Sequence, residues 1–228
     1  SCKSKDKNES AGPGENAEAF YPEITIESDS IVATESTYVI DISYPRIISS
    51  GDSVVAKKLN LVIERSILSK ENEFLKLVKE YGPDQNPANW MYELHIGFAV
   101  SYNKNGILSL YTETYEFTGG AHGNTVREAF NFDTKTGERL SLYSIFKDVN
   151  KYKTVFNSAV SDSIKRNQDF FGDYEGIKED NNFLIGEDGI TIFFGLYEIA
   201  PYSSGIPEFT ISKDKFSDIL TEKYKDRI

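Results

Sequence analysis

The chain has almost none of the residues from which thiol and metal chemistry is built. Its 228 residues include one cysteine, Cys2, and two histidines, His95 and His122. No internal disulfide can form, and no cysteine cluster can hold zinc, which asks for three or four N, S or O ligands. Long apolar runs are also missing. The longest tracts, such as Ile190-Thr191-Ile192-Phe193-Phe194, are strand-sized, far short of the roughly eighteen residues a membrane helix needs. Positive charge is scarce: 25 Lys and Arg stand against 36 Asp and Glu, a net charge of -11. A phosphate backbone needs basic side chains to neutralise it, so nucleic acid is not an expected partner. The same acidity suits either plain solubility or a basic partner protein.

What is present describes a globular protein, 39% hydrophobic and 27% charged, of a length that suits one large domain or two small ones. Cys2 and the polar stretch behind it look like the start of a mature bacterial lipoprotein, with Cys2 as the lipidation site. Membrane contact is expected through that residue alone. The segment Lys3 to Ala19 has the composition of a tether and could hold a domain up to ~60 Å from a bilayer.

Order is expected from Phe20 onward. Ile24–Ile26 and Thr37–Ile42 are strand-like, with Glu27-Ser28-Asp29-Ser30 between them as a turn. Asp52 or Ser53 caps a helix whose apolar residues Val55, Leu59, Val62, Ile63 and Ile67 share one face, continuing through Phe74, Leu75 and Val78 to Tyr81-Gly82-Pro83. Trp90, Tyr92, Leu94, Ile96, Phe98, Val100 and Tyr102 then keep a strict period of two. Asn105-Gly106 turns that strand into an antiparallel partner from Ile107 to Phe117. Val126, Glu128, Phe130 and Phe132 alternate again. An amphipathic helix carrying Tyr152, Phe156 and Val160 follows, with Asp148 near its start. A hairpin around Gly186–Gly189, a strand at Phe209–Ile211 and a last helix capped by Ser212, with Phe216, Ile219 and Leu220 inward, complete the chain. The pattern predicts an α+β fold of antiparallel sheets, each packed by an amphipathic helix. It divides into a tether (1–19) and two subdomains (20–117 and 118–228).

The segment Thr118-Gly119-Gly120-Ala121-His122-Gly123-Asn124 is the one place where a histidine and several glycines crowd together. It has no lysine and precedes a strand rather than a helix, so it does not read as a phosphate loop. His122 with carboxylates such as Glu116 offers at best a sparse ligand set, and no metal or other cofactor is expected. His122 is a formal base for a serine such as Ser203 or Ser204, but no nucleophile-elbow motif accompanies it. The bland reading is a turn that needs positive φ or close backbone approach at Gly119, Gly120 and Gly123, with His122 hydrogen-bonding inside it. Tyr197 and Tyr202 stand in a second loop, where tyrosine gives a rigid contact surface with a polar tip.

Two stretches carry a resemblance. Tyr115-Glu116-Phe117-Thr118-Gly119-Gly120-Ala121-His122-Gly123 with Asn131-Phe132-Asp133, and Tyr197-Glu198-Ile199-Ala200-Pro201-Tyr202-Ser203-Ser204-Gly205-Ile206-Pro207-Glu208-Phe209, resemble a bacterial domain family of unknown function. That family forms the extracellular part of the lysozyme-sensing anti-sigma factor RsiV and occurs beside the deacetylase domain of PdaC-type wall enzymes. Ile24 to Tyr115 looks like the smaller domain that precedes it. The resemblance implies an envelope-exposed α+β module without known catalytic residues. With neither a membrane helix nor a sigma-binding segment in this sequence, anti-sigma activity is not expected to carry over.

The expected function is a non-enzymatic, lipid-anchored module on the bacterial envelope that contacts an extracellular protein, a lysozyme-like one among them, or cell-wall glycan. The expected contact residues are Thr118, Gly119, Gly120, His122, Asn124, Tyr197, Pro201, Tyr202, Ser203 and Ser204. The alternative is a wall glycan- or peptide-modifying hydrolase with His122 as acid or base.

Overall fold

A computed structural model describes residues 21, 24–81, 89–166, 174–179 and 181–228. Cys2, the expected tether and Gly82-Pro83 lie outside the described residues.

Among these residues, two sheets share the strands. The larger has the order β1 (Thr25–Thr34), β2 (Tyr38–Ser49), β3 (Tyr92–Lys104), β4 (Ile107–Phe117), β5 (Asn124–Asp133) and β6 (Glu138–Arg139). The smaller consists of β7 (Phe183–Ile185), β8 (Gly189–Phe193) and β9 (Glu208–Ser212). Every pair is antiparallel except β2 with β3. That parallel pair exists because α1 (Ser53–Glu80) carries the chain back along the sheet before β3 begins. The helices α2 (Leu142–Ile145) and α3 (Val149–Arg166) lie between the two sheets in sequence.

Two of the caps read from sequence are in place. The Asp52 side chain accepts the Val54 N–H at 2.7 Å, and Asp148 accepts those of Asn150 and Lys151 at 2.8 and 3.2 Å. Asn105 and Gly106 both have positive φ, 52° and 74°, as a two-residue hairpin with the right twist requires.

Three expectations are corrected. Glu27-Ser28-Asp29-Ser30 is no turn but the middle of β1, an edge strand whose polar side chains stay near water while β2 takes its backbone bonds. Tyr102 does not share the face of Leu94 and Ile96. The register slips between Val100 and Tyr102, and this bulge at Ser101 turns Tyr102 to the opposite side. The last helix is instead two 3-10 turns, Lys213–Lys215 and Ser217–Ile219. Phe216, Ile219 and Leu220 are still buried, but the Lys147 N–H takes the Ile219 carbonyl and Leu220 bridges to Phe146. Those long-range bonds outcompete a continuing helix.

The cores follow from strand alternation. One lies between α1 and one face of the large sheet, where Leu59, Ile63, Ile67 and Phe74 meet Ile40, Leu94, Leu110, Phe130 and Phe132. The other gathers Tyr152, Phe156 and Val160 of α3 with β7–β9, Phe146, Phe216 and, from the large sheet, Tyr102 and Ile107.

The small sheet docks on the large one through a chain of buried polar groups. The Ile185 N–H donates to Ser109 Oγ (2.9 Å), the Ser109 hydroxyl to Asn131 Oδ1 (2.6 Å), and Asn131 Nδ2 to the Phe183 carbonyl (2.7 Å). Ser101 Oγ, carried by the bulge, lies 2.9 Å from the Ile185 carbonyl. The free edge of β7 is thus closed by side chains rather than by another strand. At the far end of β5, fully buried Asp133 receives both Arg227 guanidinium NH₂ groups at 3.0 and 3.1 Å. Arg227 also donates to the carbonyls of Asn105 and Gly106.

Two outcomes are expected. Asn131→Ala removes a buried bonding group from Ser109 and Phe183 together, and should cost about 1–3 kcal/mol in urea unfolding. Burial pushes the Asp133 carboxyl up, but its bonds to Arg227 and Lys223 outweigh this and hold it at about 2, below its usual 3.8. A depressed carboxylate stabilises the fold above pH 3.8, and that contribution is lost as pH falls toward 2. Unfolding midpoints measured across that window should lose about 2 kcal/mol of stability, a loss that Asp133→Asn flattens.

Candidate functional site

The loop Thr118–Gly123 closes the β4–β5 hairpin, whose strands pair from Ile107↔Asp133 to Glu116↔Asn124. Its glycines are there for space and backbone. Gly119 has φ +98°, and a Cβ on it would sit 2.2 Å from the Trp90 ring. A Cβ on Gly123 would sit 2.4 Å from the Tyr115 ring. Gly120, at φ +100°, faces open space. The loop is pinned between two aromatic rings, and only glycine fits at each contact.

The second loop meets it. His122 stacks on Tyr202 with ring centroids 4.0 Å apart and planes at 24°. The Tyr202 hydroxyl donates to the Gly123 carbonyl at 3.0 Å. His122 Nδ1 also lies 3.0 Å from that carbonyl, which can only accept, so Nδ1 is the donor in that contact. Nε2 faces the Tyr197 hydroxyl at 3.5 Å, and the Tyr197 ring lies 5.6 Å from that of Tyr202. Tyr197 is 62% exposed and adopts φ +63°. A bulky side chain in the left-handed region is an uncommon and costly conformation. The result is one outward aromatic surface, Tyr197–Tyr202–His122, locked by a shared carbonyl.

The remaining expected contact residues divide. Pro201 opens the short turn Tyr202–Ser204, and Ser203 is exposed beside it. Ser204 Oγ is buried and has no hydrogen-bond partner among the described residues, so it faces no base. Thr118 directly follows β4, Gly119 lies against the Trp90 ring, and Gly120 faces open space. Asn124 begins β5 and lines a neighbouring cleft. Of the ten, His122, Tyr197 and Tyr202 are the ones brought into ring contact. No cluster of three or more His, Cys, Asp or Glu that could hold a metal occurs among the described residues.

Arg127 is the residue that sequence reading passed over. It lies on β5 with its side chain 14% exposed, over the Tyr111 ring at 4.5 Å and near Phe193 at 5.6 Å. Its Nε donates to Glu113 at 3.0 Å, and another of its nitrogens to Glu208 of β9. Burial would lower its pKa, but the bonds to Glu113 and Glu208 outweigh burial and raise it. Arg127 therefore ties β4, β5 and β9 together beneath the tyrosine loop. Only its sign set it apart in the sequence, one cation within an otherwise uncharged-or-acidic strand. Pairing across the sheets supplies the rest.

An α+β scaffold that displays paired loops at one hairpin end is the class this geometry defines. The family follows from comparison with known proteins. A model described as "Deacetylase PdaC" matches residues 31–125, and one described as "Protein of unknown function (DUF3298)" matches residues 143–214. The chain thus carries a PdaC-like region followed by a DUF3298-like region. The peptidoglycan-N-acetylmuramic acid deacetylase PdaC of Bacillus subtilis (strain 168) is 28% identical over 178 residues, 75% of this chain. The match spans only 38% of that enzyme's length. Solved DUF3298 family structures share the fold. One from Bacteroides fragilis superimposes with TM-score 0.68 at 19% identity, covering 89% of this chain and 96% of its own. One from Pseudomonas aeruginosa PAO1 gives 0.63 at 16%, covering 90% and 97%. The loop with His122 falls in the first family region and the loop with Tyr197 and Tyr202 in the second, so the aromatic surface takes rings from both.

Gly123→Ala must displace the Tyr115 ring and with it the carbonyl that holds Tyr202. A loss of about 1–3 kcal/mol is expected in thermal unfolding. Tyr202→Phe, which deletes one hydrogen bond and keeps the stack, should cost about 0.5–1.5 kcal/mol.

Proposed function

We propose that this protein is a non-enzymatic binding module of the bacterial envelope, tethered through Cys2, that contacts cell-wall glycan with Tyr197, Tyr202 and His122. The observation that carries this reading is Tyr197, an exposed ring held in a left-handed backbone conformation beside two stacked rings. Flat rings with polar tips suit a sugar: the ring faces cover its apolar C–H face, and the phenol oxygens and His122 Nε2 reach its hydroxyls. Envelope placement draws support from the relative whose name gives peptidoglycan as its substrate.

The hydrolytic alternative has less behind it. The hydrogen bonds of the His122 ring go to a carbonyl and a phenol, and among the described residues no carboxylate orients it as a triad would require. A protein partner is favoured by one observation, the net charge of -11, which would steer a basic protein such as a lysozyme toward this surface.

Co-sedimentation with purified peptidoglycan separates these readings. Tyr197→Ala should weaken binding at least about tenfold, with the melting temperature little changed, and binding should persist at high salt. Undiminished sedimentation of the variant would sink the glycan reading. Salt-sensitive binding of lysozyme in its place would establish the charge-driven one.

A further inference from the structure

Beside the aromatic surface, β5 leaves part of its backbone open. It pairs with β4 along its whole length but with β6 only at Phe132 and Asp133. Backbone groups of alternate residues point to the same side of a strand. On the outer side of β5 the odd-numbered residues do so. The Asn131 carbonyl accepts from the Leu140 N–H, the Ala129 carbonyl from Arg139, and the Ala129 N–H donates to Asn182 Oδ1 at 3.1 Å. The register with β4 runs unbroken to Asn124, so the N–H and C=O of Thr125 and Arg127 face the same way. Among the described residues those four groups have no hydrogen-bond partner on that side. They open into a cleft of about 380 Å³ whose other walls include Asn181, Asn182, Lys178 and Phe194. A second cavity, about 450 Å³, shares Thr125, Arg127, Leu196 and Ile206 and continues to Tyr202 and Ser203.

We propose that this cleft takes an extended polypeptide segment of a partner protein, which adds as a strand to the open edge of β5 at Thr125 and Arg127. The edge offers donors and acceptors in alternation at strand spacing, a pattern complementary to another peptide main chain. The neighbouring step on the same edge already shows the mode of recognition, since the Asn182 side-chain amide occupies the place of a peptide group opposite Ala129. That amide also sets where an added strand stops. The Arg127 side chain is engaged by Glu113 and Glu208 on the face of the sheet, so its main chain can be used without disturbing it. With a net charge of -11 on the chain, the segment recognised is a cationic one. This site stands apart from the glycan reading, which rests on side chains of the tyrosine loop.

The test uses the full chain and a short L-peptide of alternating Lys and Val, with amide hydrogen exchange read by NMR. Exchange at Thr125 and Arg127 should slow at least about tenfold, while Val126, already bonded to β4, is unchanged. A twin peptide N-methylated at every residue should produce no slowing. Thr125→Pro removes one edge donor, a substitution an edge strand tolerates. It should weaken peptide binding at least about tenfold, and Thr125→Val should not. Tyr197→Ala should retain the response, so a failure of the glycan reading is seen separately. Equal binding by the N-methylated twin, no slowing at either amide, or slowing by soluble glycan strands instead would overturn the proposal.

Discussion

Ser109 and Asn131 face each other on β4 and β5, each almost wholly buried, and the placement of the small sheet depends on them. A strand edge brought against another sheet must have its N–H and C=O groups satisfied, because an orphaned buried group costs more than a formed bond returns. Here the Ile185 N–H and the Phe183 carbonyl are met by side chains, in a line that runs from Ile185 through Ser109 and Asn131 to Phe183. The bond directions admit one register of β7 over the large sheet. Apolar contacts alone would tolerate several.

The bulge at Ser101 serves the same junction. One extra residue in β3 brings the Ser101 hydroxyl to the Ile185 carbonyl and turns Tyr102 away from α1 into the second core. Tyr102 there donates to the Arg227 carbonyl, and Arg227 closes over the Asn105-Gly106 turn onto Asp133. The two ends of the sheet contact are therefore fixed by different chemistry, neutral hydrogen bonds at Ser109 and Asn131, and a buried ion pair at Asp133. Removing Asp133 is costly because the buried Arg227 charge stays behind without its carboxylate.

With β7–β9 held this way, the loop before β9 comes to rest over the β4–β5 hairpin tip. Arg127 reinforces the approach from below by joining Glu113 to Glu208 across the two sheets. Rigid strands thus bring the Gly123 carbonyl within reach of Tyr202, and the glycine loop becomes a platform for rings contributed by the other half of the chain. Strain at Tyr197 is tolerable because everything beneath it is overdetermined.

Much of this was legible in the residues. The α1 stripe, its Asp52 cap, the Asn105-Gly106 hairpin and the positive φ at Gly119 are local properties, set by side-chain period, capping groups and allowed φ. The polar stretch in β1 misled because edge strands and turns have similar compositions, and the pairing partner that distinguishes them is distant in sequence. Tyr102 misled because a bulge inverts strand parity without changing the even spacing of the residues. The sequence by itself determined which segments are amphipathic, where the chain can turn, and that two loops rich in glycine and tyrosine exist. Only the tertiary structure decided that those loops touch, that Arg127 underlies them and that an edge of β5 stays open. The loop contact and the Arg127–Glu208 bridge join groups about eighty residues apart, for which no local pattern exists.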